Sequence, residues 1–253
     1  TDISFAGQSK GNIMNKVMFL AKAWSEKSIS RELDSGLDLL DVLEKNFLQV
    51  EWAEELEMRA VSSLIGCEQA DATRDEVTAS NEVFTRSAVA RAMNVISGKQ
   101  KEFGYIVVHP DIYTEMTVQE AIDFVKPSTV PFSVGFYGNL EVIVSEDVTV
   151  ETRAEGDVYT SYICKPGVFS FARGTLANEL EYVRDEKTGN GAGEDGFISR
   201  LKFVLGVNGF SYDGSTQAKE TGATWAELQD SAKWTRVVDV KDSGFVTLKT
   251  LLA

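Results

Sequence analysis

Between Leu37 and Ile65 the chain contains no glycine or proline. Leu39, Leu43, Phe47 and Val50 recur there at three- and four-residue steps, and Leu56, Ala60 and Leu64 resume the rhythm. Asp41, Glu44, Lys45, Glu51, Glu54, Glu55 and Glu57 fill much of the rest. That pattern is the apolar stripe and polar face of an amphipathic helix. Ser35 can cap it, with Asp38 three residues on, and Gly66 is expected to end it. At about 1.5 Å per residue the predicted rod is roughly 40 Å long, well beyond the mean helix of about 12 residues.

The flanking pattern is less regular. Ile13, Met14, Val17, Met18, Phe19 and Leu20 are apolar, but their spacing leaves strand and helix open. Ser25 is expected to cap a short helix reaching about Leu33, broken by Asp34-Ser35-Gly36. Asp71 to Ser80 is polar and reads as a linker. A helix is predicted from Glu82 to Ser97, capped by Asn81 and stopped by Gly98. Gly104–Val108 reads as a buried strand, and His109-Pro110 as the start of a helical turn. Thr117-Val118-Gln119-Glu120 has the form of a capping box for a helix to about Phe124.

Beyond Pro127 the alternation becomes that of strands: Phe132–Tyr137, Leu140–Val144, Val158–Cys164 and Val168–Ala172, with turns at Gly138-Asn139 and Pro166-Gly167. Two longer strands, Asn178–Asp185 and Phe197–Leu205, flank the Gly-rich loop Glu186–Gly196. A short helix over Trp225–Ser231 and strands Trp234–Val240 and Phe245–Leu251 complete the chain. The order predicts an α+β fold.

Charge narrows the function. With 25 Lys+Arg against 39 Asp+Glu, the 253 residues carry a formal charge of -14. A surface built to grip nucleic acid neutralises phosphates and is basic. An acidic chain fits a soluble protein, or a wall that holds nucleic acid without adhering to it. Cys67 and Cys164 form no C-x-x-C motif and read as reduced core thiols. No apolar run approaches the ~20 residues of a membrane span.

Candidate chemistry is sparse. Gly191-Ala192-Gly193-Glu194-Asp195-Gly196 matches G-x-G-x-x-G, but a strand is predicted to follow, where a phosphate site needs a helix N-terminus. His109 is the sole histidine, which excludes a two-His metal site; its place before Pro110 suits capping a helical turn. Glu54, Glu55 and Glu57 read as a solvated or subunit-facing helix side. Glu146-Asp147 follows a strand, and alternation would aim one of the pair away from any shared site. Trp24, Trp52, Trp225 and Trp234 read as core or interface anchors. No catalytic, cofactor or metal residue is assigned.

Several phrases, in order, resemble the major capsid proteins of tailed phages, the Hong Kong 97-like fold. They are Lys22-Ala23-Trp24-Ser25, the helix through Trp52-Ala53 to Leu64-Ile65-Gly66, Val107-Val108-His109-Pro110-Asp111-Ile112-Tyr113, and Gly138-Asn139-Leu140-Glu141-Val142-Ile143-Val144-Ser145. Phe169-Ser170-Phe171-Ala172-Arg173-Gly174, Leu180-Glu181-Tyr182-Val183-Arg184-Asp185, Trp234-Thr235-Arg236-Val237-Val238-Asp239 and Val246-Thr247-Leu248 extend the likeness over nearly the whole chain. The family carries an N-terminal arm and an extended loop before the Trp24 region, where only residues 1–23 stand here; a processed or trimmed chain is expected.

The resemblance implies a peripheral domain of residues 1–75 plus 175–206, with the long helix as its spine. It implies an axial domain of residues 76–174 plus 207–253. It implies pentamers and hexamers of this chain around double-stranded DNA contacted only non-specifically, with scaffold, portal and decoration proteins as further partners. Assembly would take place in the host cytoplasm, with no cofactor, no enzyme activity and no membrane. Lys187, Gly189, Gly191, Gly193, Glu194 and Asp195 become a candidate subunit-interface loop, because the corresponding tip lies where three capsomers meet. An encapsulin-like nanocompartment shell and a phage tail or connector protein are the alternatives.

Overall fold

Met18, Leu20, Trp24 and Glu26 turn toward one side of the chain and Ala21, Ala23 and Ser25 toward the other, which is the period of a strand. In the computed structural model this segment is β1 (Val17–Lys27). The structure describes residues 13–27, 39–42, 44, 48–71, 75–77, 83–95, 100–118, 123–125, 134–154, 156–188, 193–215, 217, 219, 221–239 and 242–252. The helix expected from Ser25 is therefore corrected as far as Lys27. Ser25 lies opposite Gly196 in the middle of a ladder, and cross-strand packing of Trp24 on Phe197 outweighs the local capping signal.

The long helix is present and displaced. A short helix α1 (Leu39–Val42) precedes α2 (Leu48–Ala70), whose 23 residues make about six turns, roughly 35 Å. Leu43 and Phe47, which carry part of the predicted stripe, lie outside the described residues, as do Ser35 and Asp38. Gly66 does not end the helix. It sits within it, where a Cβ would come 2.1 Å from the Leu228 carbonyl oxygen and 2.6 Å from Trp234 Nε1. Glycine is used here for close packing of a second element, not as a stop signal.

The first sheet places β11 (Glu194–Val207) against β1 along its whole length, with register from Val17↔Val204 to Lys27↔Glu194. On the other side of β11 lie β10 (Leu180–Asp185) and β9 (Phe169–Arg173), end to end. α2 packs across this sheet and against α5 (Trp225–Gln229) and β13 (Trp234–Arg236). β12 (Phe210–Tyr212) pairs with β13.

The second sheet has eight strands in the order β2-β14-β8-β3-β6-β5-β4, with β7 beside β8. Their ranges are β2 Asp75–Val77, β3 Tyr105–Val108, β4 Asp123–Val125, β5 Val134–Tyr137, β6 Leu140–Val144, β7 Val150–Arg153, β8 Gly156–Cys164 and β14 Phe245–Leu251. Both faces of its centre are covered. Ile106, Val108, Ile163, Val246 and Leu248 pack under α3 (Arg86–Asn94) and α4 (Pro110–Val118). Val107, Tyr162, Cys164 and Phe245 face the core shared with Leu64, Cys67, Phe203 and Trp234. Burial on both faces takes in polar residues of these strands as well: Thr160, Ser161, Thr247 and Thr250 are buried beside the apolar ones.

Other corrections are local. Asp75–Val77, expected within a linker, pairs in parallel with β14. α3 starts at Arg86, with Thr85 as its cap, because Val83 is held by a bridge to Leu251; Asn81, Glu82, Ser97 and Gly98 lie outside the described residues. Thr117 caps nothing. It is in the last turn of α4, donating to the Tyr113 carbonyl at 2.9 Å, and Phe124 is in a strand.

Candidate assembly surface

β1, β11 and β10 form a three-stranded ribbon ending in the β10–β11 turn. Trp24, Phe197 and Tyr182 stand in one row across it, with ring centroids 5.9 and 5.1 Å apart. Leu48 and Trp52 of α2 cover the Trp24–Phe197 end of the row, and Trp52 Nε1 donates to Ser199 Oγ at 2.9 Å. Among the described residues the outer strands are largely exposed: Phe171 51%, Leu180 46% and Tyr182 59%, with the Tyr182 hydroxyl donating to Glu44. Between them and α2 runs a groove of about 460 Å³, floored by Leu180, Leu201 and Phe171 and walled by Leu48, Trp52 and Leu56. Arg173–Glu179 (2.9 Å) and Arg200–Glu181 (2.7 Å) flank it. Exposed apolar side chains at a rim of paired charges make this a candidate contact surface.

The turn is shorter than the sequence suggests. Glu194 and Asp195 belong to β11, and Arg184 Nη1 donates to Asp195 at 2.7 Å. Lys187 is exposed, and its N–H donates to Asp185 at 2.9 Å. Gly193 has φ +90°, and a Cβ there would reach 3.0 Å from the Arg184 guanidinium. Gly189 and Gly191 lie outside the described residues. Because the strand begins at Glu194 directly after Gly193, the G-x-G-x-x-G segment opens no helix and offers no N-terminal phosphate cradle.

His109 sits at the start of α4. Its Nδ1 accepts from Asp111 N–H at 3.2 Å, which caps the first turn. Asp111 Oδ2, 3.1 Å from Nδ1, accepts the Tyr159 hydroxyl at 2.9 Å. Burial, then Asp111, pushes the Tyr159 hydroxyl up to about 12. The cluster is a capping network with neither a serine nor a cysteine in its hydrogen bonds. His109→Ala is expected to lower stability by about 1 kcal/mol, the usual cost of a lost cap, and to leave assembly intact; urea unfolding beside particle yield measures both.

The carboxylates separate. Glu54 and Glu57 are exposed, as expected, but Glu55 is not solvated. It accepts from Arg59 Nε at 2.8 Å and from Trp225 Nε1 at 3.1 Å, joining α2 to α5. Glu146 and Asp147 sit in a turn beyond β6, so strand alternation does not apply to them. Partial burial, with the charges of Glu57 and Glu146, raises Asp147 above the usual carboxylate value. The described residues hold no group of three or more His, Cys, Asp or Glu placed for a metal. Cys67 and Cys164 are buried free thiols, and burial raises the Cys164 pKa, which makes it unreactive. No described helix is long and apolar enough to cross a membrane.

Sequence reading missed the exposed outer row. Phe171, Leu180 and Tyr182 alternate like ordinary strand residues, and their exposure among the described residues distinguishes them, although the Tyr182 hydroxyl donates to Glu44. The chain of tryptophans carried more signal. Trp234 is buried with Nε1 donating to Leu228 O at 2.7 Å, whereas Trp225 is 42% exposed.

No family model matches the chain. It aligns over 249 residues with the major capsid protein of Bacillus phage SPP1 at 27% identity, covering 96% of this chain and 74% of that protein. Among solved structures, the capsid of Ralstonia phage GP4 matches with a TM-score of 0.58 and 12% identity, over 94% of this chain and 74% of that one. The SrpI encapsulin of Synechococcus elongatus PCC 7942 matches with a TM-score of 0.50 and 12% identity, over 93% and 74%. At such identities the structures speak to fold alone. The chain is similar to tailed-phage major capsid proteins, the structural subunits of capsids, and has the Hong Kong 97-like α+β fold.

Proposed function

We propose that this chain forms the closed icosahedral wall of a virion, arranged in pentamers and hexamers around double-stranded DNA. The observation that carries this reading is the alignment with a phage major capsid protein over 96% of the chain. The rod-like α2 supports it, since a shell subunit needs a stiff element across its width. Residues 1–75 plus 175–206 act as the peripheral domain and residues 76–174 plus 207–253 as the axial domain. The charge of -14 supports a wall that contacts DNA only non-specifically. Scaffold, portal and decoration proteins are its further partners, assembly occurs in the host cytoplasm, and the subunit performs no catalysis.

A nanocompartment shell shares the fold but not the sequence relationship. Negative-stain images of the full-length protein, expressed with and without a scaffold, test the reading. Closed angular shells are expected. Open rings or tubes would point instead to a tail or connector part, and shells that select a protein cargo would point to a nanocompartment.

A further inference from the structure

The eight-stranded sheet carries opposite charge at its two ends. β3 and β6 run parallel, so both start at one end and finish at the other. At the starting end, a short 3₁₀ turn (Gln100–Glu102), the first turn of α3 and the Gly138-Asn139 turn enclose a cavity of about 500 Å³. Lys101 and Arg86 are exposed at its rim, and Phe103, Met93 and Leu140 give it an apolar wall. Glu102, the carboxylate on the 3₁₀ turn, is paired with Lys165 at 3.0 Å. Tyr137 also lines the cavity; it is 5% exposed, and its hydroxyl has no hydrogen-bond partner among the described residues. A buried hydroxyl left without a partner costs free energy, and an acceptor oxygen entering the cavity would supply one.

Beyond the finishing end the sign reverses. Glu146 and Asp147 form an exposed turn past β6, separated from the Gly138-Asn139 turn by the length of that strand, about 16 Å. Glu57 of α2 stands near enough that its charge, with that of Glu146, raises the Asp147 pKa. Among the described residues these three carboxylates form no ion pair. The turn is anchored on both sides, since Ser145 and Val148 are buried and Ser145 N–H donates to Val108 O at 3.0 Å. Val144, 40% exposed, adds an apolar side chain beside it. We propose that the Glu146-Asp147 turn of one copy docks in the cavity of the next, against Lys101 and Arg86, with a carboxylate oxygen accepting from the Tyr137 hydroxyl. The inference rests on the shell-subunit reading and names one contact within it. Neither end can pair with its own kind, because like charges would meet. The contact is therefore head-to-tail, the kind that closes rings when the rotation between copies allows.

Charge exchange in the full-length protein tests the docking. Lys101→Asp sets carboxylate against carboxylate, and Asp147→Lys sets an ammonium against the basic rim. Like charges opposed across an interface are unfavourable enough that either change is expected to lower particle yield about tenfold or more. Both side chains are exposed, so each subunit is expected to fold, by circular dichroism. The chain carrying both changes restores an opposite-charge pair at every contact and is expected to recover particles to near the wild-type yield. Should a reversed chain fail to fold, Lys101→Gln and Asp147→Asn are measured in its place; each is expected to lower the yield and to make assembly less sensitive to salt. Single variants, reversed or neutral, that assemble like the wild type overturn the docking and leave the shell reading standing. So does a doubly changed chain that folds and does not recover. A wild-type protein that forms no particles, with or without a scaffold, overturns both.

Discussion

Gly66→Ala is expected to destabilise this subunit by roughly 2 kcal/mol, against the direction that helix propensity indicates. Alanine is favoured over glycine inside a helix by about 1 kcal/mol. At Gly66, however, the added methyl would lie 2.1 Å from a backbone oxygen, Leu228 O, and 2.6 Å from Trp234 Nε1. Those two atoms are hydrogen-bonded to each other at 2.7 Å. The methyl must therefore push α5 off α2 and break a buried hydrogen bond. Overpacking costs about 1–3 kcal/mol and a lost buried bond about 1–3 kcal/mol more, so the clash outweighs the propensity gain. In a chain of this size a 2 kcal/mol loss lowers Tm by about 4–8 °C. A thermal melt of the variant that matches or exceeds the wild type would show that α5 does not dock as described.

Deleting Gly189–Gly193 is expected to leave the subunit folded and to abolish shell closure. The cut removes a turn whose described flanks, Lys187, Thr188 and Gly193, contribute little apolar burial, so the core is untouched. If the turn lies where three capsomers meet, as the resemblance implies, the cut shortens its reach toward its neighbours. Ion pairs there are individually worth about 0–1 kcal/mol, but a closed shell repeats each one many times. The measurement is far-ultraviolet circular dichroism beside electron microscopy of the deletion variant in the full-length protein. Native spectra with normal closed shells would remove the tip from the assembly surface.

What the sequence revealed and what it hid divide along physical lines. The strand β11 was legible because burial of one face imposes period two, and β6, β8 and β14 because β-branched and aromatic residues cluster there between turn residues. The α2 rod was legible from its stripe, but its C-terminal end was not. Gly66 carries the chemical signature of a stop, and only a tertiary neighbour, Trp234, explains why it is internal. Ser25 failed for the same reason: a capping residue was read locally, while β11, some 170 residues away, supplied the partner strand. The candidate surface was partly legible. The Gly-rich turn announced itself by composition. The exposed row of Phe171, Leu180 and Tyr182 did not, since exposure is a property of the fold around a strand and not of its own residues.

The most direct test of the capsid reading is a single-particle reconstruction of particles formed by the full-length protein. The prediction is an icosahedral shell with this subunit in five- and six-fold rings, α2 lying along the wall and the β10–β11 turns meeting where rings adjoin. A reconstruction with a single unclosed ring, or with helical symmetry and no five-fold vertices, would contradict it.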